Sequence, residues 1–219
     1  MSNIHKIIKE ISRFDTAKLS DILDEMGFRA SMSFEVKPIY KGLKICGPAV
    51  TVEAIPSTSP NTGSILFEAI DSCNKGDVLV IGVGGDTTCD SWGGLVTRCA
   101  MKRRVAGVVT DGPVRDFKEI KELDFTVFSN GLVPTSPKGR RIYTKYKEPI
   151  LCGTVPVKPQ DIILGDDDGV VVIPKEKAEI VLETAKKVDK IERVIIEDIE
   201  KGLPATEALT KKHDGMEII

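Results

Sequence analysis

Histidine, aromatic residues and paired cysteines are all scarce in this sequence, and each scarcity removes a class of chemistry. Two histidines occur, His5 and His213, near opposite ends of the 219 residues. Five cysteines, Cys46, Cys73, Cys89, Cys99 and Cys152, include no Cys-x-x-Cys pair. Structural zinc sites and Cys/His or Ser/His/Asp machinery need such groups placed together, so these chemistries are not expected. The cysteines read as small buried hydrophobes, with Cys89 kept open because it falls in a central loop. An excess of one charge sign is also missing: 31 Lys and Arg face 33 Asp and Glu, a formal net charge of -2. No global field therefore points to nucleic acid or to an anionic membrane. The N-terminal stretch is charged and amphipathic without a continuous apolar region, and no run is long enough to span a bilayer, so a cytoplasmic protein is expected.

What is present is enough apolar content, 41%, to bury one substantial core, and a single domain over residues 1–219 is expected. Ile4, Ile7, Ile8 and Ile11 recur at helical spacing, as do Leu19, Ile22, Leu23 and Met26, so two helices are predicted within residues 1–30. Asp15 or Thr16 would cap the second, and Gly27 would stop it. The segment PSTSPNTGS breaks the chain before a short helix at Ile65, and is either disordered or laid over a site. Residues 78–83, VLVIGV, read as a buried strand, residues 92–104 as a helix, residues 107–111 as a second strand, residues 117–123 as a helix and residues 125–129 as a third strand. This alternation implies an α/β fold built on a parallel sheet. The basic run Lys138-Gly-Arg-Arg-Ile-Tyr reads as a solvated loop, with contact to an anionic partner as the other reading. Short β-type runs follow, and a charged helix over residues 176–201 carries Ile180, Val181, Ala185, Val188, Ile191, Ile195 and Ile199 as an apolar stripe.

Three loop motifs carry possible chemistry. Gly82-Val-Gly-Gly-Asp86, with Asp90 and Trp92-Gly93-Gly94 opening a helix, is either an amide cradle for a carboxylate or phosphate, or a set of tight turns. It is neither a dinucleotide fingerprint nor a P-loop. Asp111-Gly-Pro-Val-Arg115-Asp116-Phe-Lys-Glu119 lies where a parallel strand ends, the usual place for ligands in such sheets. Arg115 beside Asp116 offers a planar fork for a carboxylate and a hard oxygen ligand for a divalent cation; the other reading is an ion pair capping the next helix, with Glu119 three residues on. Gly165-Asp-Asp-Asp-Gly169 reads as a solvated hairpin turn rather than a metal site. Trp92 reads as a packing residue.

At these residues the chain resembles the RraA-like family, which contains the regulator of ribonuclease E activity A and the class II 4-hydroxy-4-methyl-2-oxoglutarate / 4-carboxy-4-hydroxy-2-oxoadipate aldolases. The family pattern of a Gly, twenty residues, Arg-Asp, two residues and an acid is met by Gly94, Arg115, Asp116 and Glu119, and KGDVLVIG, WGGLVTRCAMKRRVAGVVTDGPVRD and GDDDGVVVIP look like the family as well. The resemblance implies a swivelling β/β/α fold, assembly as a trimer or a pair of trimers, and an active site at the subunit interface. It implies that Arg115 and the amides of Gly93, Gly94, Leu95 and Val96 hold the pyruvoyl part of a small 2-keto acid, and that Asp116 anchors Mg²⁺ or Mn²⁺. An acid from the C-terminal helix of a neighbouring subunit also takes part in the aldolases; Glu192 matches by position, with Glu197 in reserve. The sequence departs from the aldolases at Gly94, where they carry an acid that helps order metal-bound water; Asp86 or Asp90 would have to replace it. The expectation is a metal-dependent carbon–carbon lyase, aldolase or oxaloacetate decarboxylase. The alternative is a non-catalytic regulator of a ribonuclease, whose own segment lacks the metal-binding Asp that this chain has at 116. No nucleoside-binding Gly loop supports a methyltransferase.

Overall fold

Branched apolar residues without alternation demand burial on both faces, and Val78–Gly82 meets that demand as a strand with every residue buried. Its side chains divide by parity in the computed structural model, which describes residues 3–210. Val78 and Val80 point into the concave side of the sheet, packing with Ala49, Val109, Phe128 and Ile163, whereas Leu79 and Ile81 point outward against helices.

The organising strand is the longest one. We number strands β1 (Lys37–Pro38), β2 (Ile45–Pro56), β3 (Val78–Gly82), β4 (Gly107–Thr110), β5 (Val127–Ser129), β6 (Arg141–Tyr146), β7 (Ile150–Cys152), β8 (Val155–Val157), β9 (Ile162–Asp166) and β10 (Gly169–Ile173). The helices are α1 (Asn3–Ile11), α2 (Thr16–Glu25), α3 (Ile65–Asp71), α4 (Gly94–Lys102), α5 (Phe117–Glu122), α6 (Ala178–Glu200) and α7 (Ala205–Thr210). The sheet order is β1-β5-β4-β3-β2-β9-β10, with β6 also paired to β2. The first residues of β2 pair antiparallel with β9, and the next five run parallel to β3, so one strand joins a parallel half to an antiparallel hairpin. The far edges approach each other: Met32 donates to the Val170 carbonyl and Val172 to that of Ala30, while β1 pairs with β5, so residues 30–38 nearly close the sheet. Helices α3, α4 and α5 cover the outside of the parallel half, and α1, α2 and α6 cover β9 and β10. This is the α/β fold with N-terminal helices and a long C-terminal helix that was expected.

Boundaries shift where packing overrules pattern. The predicted 92–104 helix starts only at Gly94, because Trp92 and Gly93 remain extended. Asp15 occupies the N-cap of α2 without bonding a backbone amide through its side chain, and the Thr16 hydroxyl instead donates to Asp166 Oδ1 at 2.6 Å. The Asp166–Asp168 stretch is the β9–β10 turn, as expected, with Asp166 tied to Thr16 and Asp167 to the Gly42 amide. On α6, Val181, Leu182, Ala185 and Ile191 are buried, but Ile180 and Ile199 are exposed, so the stripe is narrower than expected. His213 lies outside the described residues. Among the described residues no helix is long and apolar enough to cross a membrane.

The basic run is corrected in its second part: residues 138–140 form the exposed turn that was expected, but the strand begins at Arg141. Residues Arg141–Tyr146 form β6, antiparallel to β2, and Arg141 is fully buried while Arg140 is exposed. Alternation puts Arg141 and Tyr143 inward, and the Arg141 guanidinium bonds the Asp86 carbonyl at 2.8 Å and its carboxylate at 2.9 Å. Hairpin β7–β8 packs on β3 so closely that a Cβ on Gly82 would stand 2.2 Å from the Leu151 carbonyl oxygen. Replacing Arg141 by Leu leaves Asp86 without its partner and is expected to destabilise the protein by about 3 kcal/mol in urea unfolding, whereas Arg140→Leu is expected to change stability by under ~0.5 kcal/mol.

Candidate functional site

Beyond the carboxyl ends of β3 and β4 the chain keeps two short extended pieces side by side. Trp92 pairs in parallel with Val114, and the Arg115 amide donates to the Trp92 carbonyl at 3.0 Å. That register places Gly93 and Gly94 directly against Arg115 and Asp116. Glycine leaves room for these side chains: a Cβ at 93 would lie 2.9 Å from Asp116 Oδ2, and one at 94 would displace the partly exposed Glu119 carboxylate. The Gly94 amide donates to Asp116 Oδ2 at 2.9 Å. Asp116 holds that position in the left-handed region, at φ 59° and ψ 35°, a conformation that costs about 1 kcal/mol for a residue other than glycine and that recurs at functional sites.

The polar groups around this contact have separate assignments. Arg115 Nε lies 3.3 Å from Asp90 Oδ2 and 3.7 Å from Asp116 Oδ2, and its two terminal nitrogens meet no acceptor among the described residues. The amides of Leu95 and Val96 fall in the first turn of α4, where no intrahelical acceptor exists. Asp90 is buried, and its Oδ1 has no hydrogen-bond partner among the described residues. Burial pushes the Asp90 carboxyl up to about 6; the nearby Arg115 and Arg141 charges oppose that shift, and the Asp116 charge adds to it. Glu119 accepts from Arg98 Nε at 2.7 Å and forms no capping box; its carboxylate fills the space a side chain at 94 would take.

Together these residues border a cleft of about 170 Å³ that is closed on the other side by α3, Trp92, Tyr143 and the 62–63 turn. A broader hollow of about 680 Å³ lies beside Ser20, Asp24 and Arg29, but few ionisable groups converge there. The PSTSPNTGS segment therefore does border the cleft, through Thr62 and Gly63.

Not every predicted residue arrives here. The Gly82–Asp86 loop is no vacant cradle, since the Asp111 carboxylate accepts from the Val83 and Gly85 amides at 2.7 and 3.1 Å. Asp86 is committed to Arg141, which leaves Asp90 as the acid of that pair at the cleft. Glu192 lies on α6, paired with Lys18 at 2.7 Å, and Glu197 pairs with Lys201; neither borders the cleft within one chain. Cys89 is buried, and burial pushes its thiol up, the opposite of what a nucleophile needs. Trp92 is a packing residue, stacked on Phe125 with its indole N–H given to Thr97 Oγ1. Sequence reasoning missed Arg141 and Tyr143; the Arg-Ile-Tyr-Thr-Lys-Tyr alternation was their signal, masked by its charge.

Among the described residues no three His, Cys, Asp or Glu side chains converge as a closed metal-binding set. Mg²⁺ needs no such set, because it keeps several waters and takes one or two carboxylates plus substrate oxygens. Asp116, half-exposed at the cleft with Arg115 beside it to bind a substrate anion, fits that kind of open site.

The chain is similar to known proteins over most of its length. The RraA-like family model, described as Aldolase/RraA, matches residues 16–172. A protein from Halalkalibacterium halodurans named "Putative 4-hydroxy-4-methyl-2-oxoglutarate aldolase" is 36% identical over 177 residues, which cover 81% of this chain and 82% of that one. Protein DlpA of Legionella pneumophila is 32% identical over 80% of this chain, which spans only 29% of its length. A Pseudomonas syringae crystal structure superposes with a TM-score of 0.83 at 29% identity, covering 94% of this chain and 98% of that one. Streptomyces coelicolor RraAS2, described as an unusual member of the RNase ES inhibitor RraA protein family, superposes with a TM-score of 0.79 at 27% identity, covering 86% and 94%.

Asp90 also makes a stability prediction for the metal-free protein. Its folded carboxyl titrates near 6 against an unfolded reference of 3.8, so its stabilising contribution is present at low pH and is lost as pH rises through 6. Asp90→Asn cannot titrate. Relative to wild type, the variant is expected to gain about 2 kcal/mol between pH 4 and pH 7, read from paired denaturant melts in EDTA.

Proposed function

Since this chain belongs to the RraA-like family, we propose that it is a divalent-metal-dependent lyase that cleaves a carbon–carbon bond of a small 2-keto acid and releases pyruvate. The observation that carries the reading is the junction of Gly94, Arg115 and Asp116 at one small cleft. Arg115 presents its fork to the substrate carboxylate, and the Leu95 and Val96 amides, at the positive end of α4, add donors beside it. Asp116 would hold Mg²⁺ or Mn²⁺, which supplies Lewis-acid polarisation of the 2-keto oxygen. Negative charge develops on that oxygen as the bond breaks, and the fixed donors at the mouth of α4 favour it without reorganising. With Gly94 in place of an acid and Asp86 committed to Arg141, Asp90 Oδ1 is the remaining carboxyl of this loop available to exchange a proton at the cleft.

The reading includes a homotrimer or homohexamer, a cytoplasmic setting and a site completed by Glu192 of a neighbouring copy. The contact between copies is supported by the exposed Val194, Ile196 and Ile199 at the far end of α6; for Glu192 to take part, it would have to leave its ion pair with Lys18. The likeness to RraAS2 favours a second reading, a non-catalytic protein that binds a ribonuclease. Asp116 argues for the enzyme, because contact inhibition needs no metal ligand.

The assay is pyruvate release from oxaloacetate, 4-hydroxy-4-methyl-2-oxoglutarate and other 4-hydroxy-2-oxo acids, with Mg²⁺ and with EDTA. Turnover with metal is expected for at least one of them, lost in EDTA and reduced about 100-fold or more in Asp116→Ala. Arg115→Lys is expected to raise KM about tenfold, since Lys cannot make the bidentate contact. Full rate in Asp116→Ala, or capture of a ribonuclease with no turnover of any substrate, would reverse the ranking of the two readings.

A further inference from the structure

Gly93 occupies the N-cap of α4, where a Ser, Thr, Asp or Asn side chain commonly accepts from the first amides of a helix and fixes its opening turn. Glycine has no side chain to do this, and two glycines in succession leave the backbone unusually mobile unless something else restrains it. A capping side chain would also occupy the Leu95 and Val96 amides, the donors assigned above to the substrate anion. The turn therefore has to be fastened from a direction that leaves those amides to the cleft.

Thr97 fastens it from the core side. The residue is fully buried, and its hydroxyl donates to the Gly93 carbonyl at 2.9 Å, beside its own amide, which donates to the same oxygen at 3.1 Å. A threonine hydroxyl inside a helix often returns to the carbonyl four residues back. Here the hydroxyl oxygen also accepts the Trp92 indole N–H at 2.8 Å, and the Trp92 ring is buried and stacked on Phe125 with centroids 6.2 Å apart. One hydroxyl thus joins the ring of residue 92 to the carbonyl of residue 93, immediately before the helix opens. The residues ahead of it are held by other groups: the Asp90 amide donates to the Thr135 carbonyl, the Ser91 amide to the Pro113 carbonyl, and the Tyr143 hydroxyl to the Ser91 carbonyl. The Thr97 hydroxyl is the side-chain bond that reaches Gly93.

Resting on the lyase reading above, we propose that Thr97 is a positioning residue for the anion site: its hydroxyl, held between the Trp92 indole and the Gly93 carbonyl, sets the opening turn of α4 so that the Leu95 and Val96 amides serve the cleft. Valine at 97 keeps the branched shape and removes the hydroxyl, which leaves the indole N–H buried without an acceptor and the Gly93 carbonyl with the backbone bond alone. Serine keeps the hydroxyl and removes a buried methyl group. Positioning and packing therefore rank these two variants in opposite orders.

The test uses the full-length protein with excess Mg²⁺ and oxalate, a planar probe that carries its oxygens much as a pyruvate enolate does, titrated by calorimetry. Thr97→Val is expected to weaken oxalate about tenfold and Thr97→Ser by less than about threefold, the scale set by one buried hydrogen bond. A loss in Thr97→Ser as large as that in Thr97→Val, or unchanged affinity in both, overturns the proposal. Should Thr97→Val fail to fold, the wild type still decides. Trp92 is the one tryptophan of the chain, so a single indole N–H signal reports the bond to Thr97. Coupling between ligand and bond is reciprocal, so saturating oxalate is expected to slow solvent exchange of that proton at least about threefold more than it slows the Ile163 amide in β9. Equal slowing of the two overturns the proposal. Turnover separates the proposal from its premise. Wild-type kcat/KM in a folded Thr97→Val variant, on a substrate from which the wild type releases pyruvate, sinks the positioning role and leaves the lyase standing. The expected ranking in oxalate binding, with no pyruvate released from oxaloacetate or any hydroxy-oxo acid, supports the positioning role and sinks the lyase.

Discussion

The hydrogen bond from the Gly94 amide to the Asp116 carboxylate, set beside the Arg115 amide bond to the Trp92 carbonyl, joins the two loops of this site, and the surrounding structure exists in a form that permits it. It forms because Trp92 and Val114 continue the parallel register of β3 and β4 past the sheet, so that residues 93–94 and 115–116 arrive at the same level. Asp116 accepts a left-handed backbone to reach it, and residues 93 and 94 accept the loss of a side chain. The α4 N-terminus, the Arg115 fork and the Asp116 carboxylate consequently share one cleft. A side chain at 93 would crowd the Arg115 and Asp116 side chains, and one at 94 would displace the Glu119 carboxylate.

Buried charge fixes the loop that feeds this contact. Asp111 occupies the amides of Val83 and Gly85, and Arg141 grips Asp86 from the neighbouring strand β6. Both are internal partnerships that satisfy groups which would otherwise look available for a ligand. They leave Asp90 as the buried carboxyl whose environment is least settled, with one oxygen unpartnered and its titration displaced upward. Perturbed carboxyls of this kind concentrate where proteins do chemistry, because burial and neighbouring charges that unsettle a proton also make it transferable.

Much of the fold was legible in residue patterns. The unbroken apolar run of β3 and the stripe of α6 signal burial on two faces and on one, and the Asp-Gly turn at 168–169 announces its hairpin. The Gly94, Arg115, Asp116 and Glu119 spacing was legible too, since a strand-helix-strand unit brings its two carboxyl-end loops to one edge. The basic run was misread for a physical reason: charge density signals solvent only when the charges lack partners, and the partner of Arg141 lies 55 residues away in sequence. The Gly82–Asp86 loop looked like a vacant anion cradle for the same reason, because Asp111 stands 28 residues from Val83.

The sequence alone determined the order of elements, the parallel core and the residue types able to bind a carboxylate and a hard cation, because these depend on local periodicity and on functional groups the side chains carry wherever they sit. Only the tertiary structure decided which of those groups remain available. It committed Asp86 to Arg141 and Asp111 to a loop, placed Asp90 at the cleft and left Glu192 on a distant helix. Those outcomes depend on contacts between residues far apart in the chain, and periodicity carries no information about which distant partner a charged group will meet.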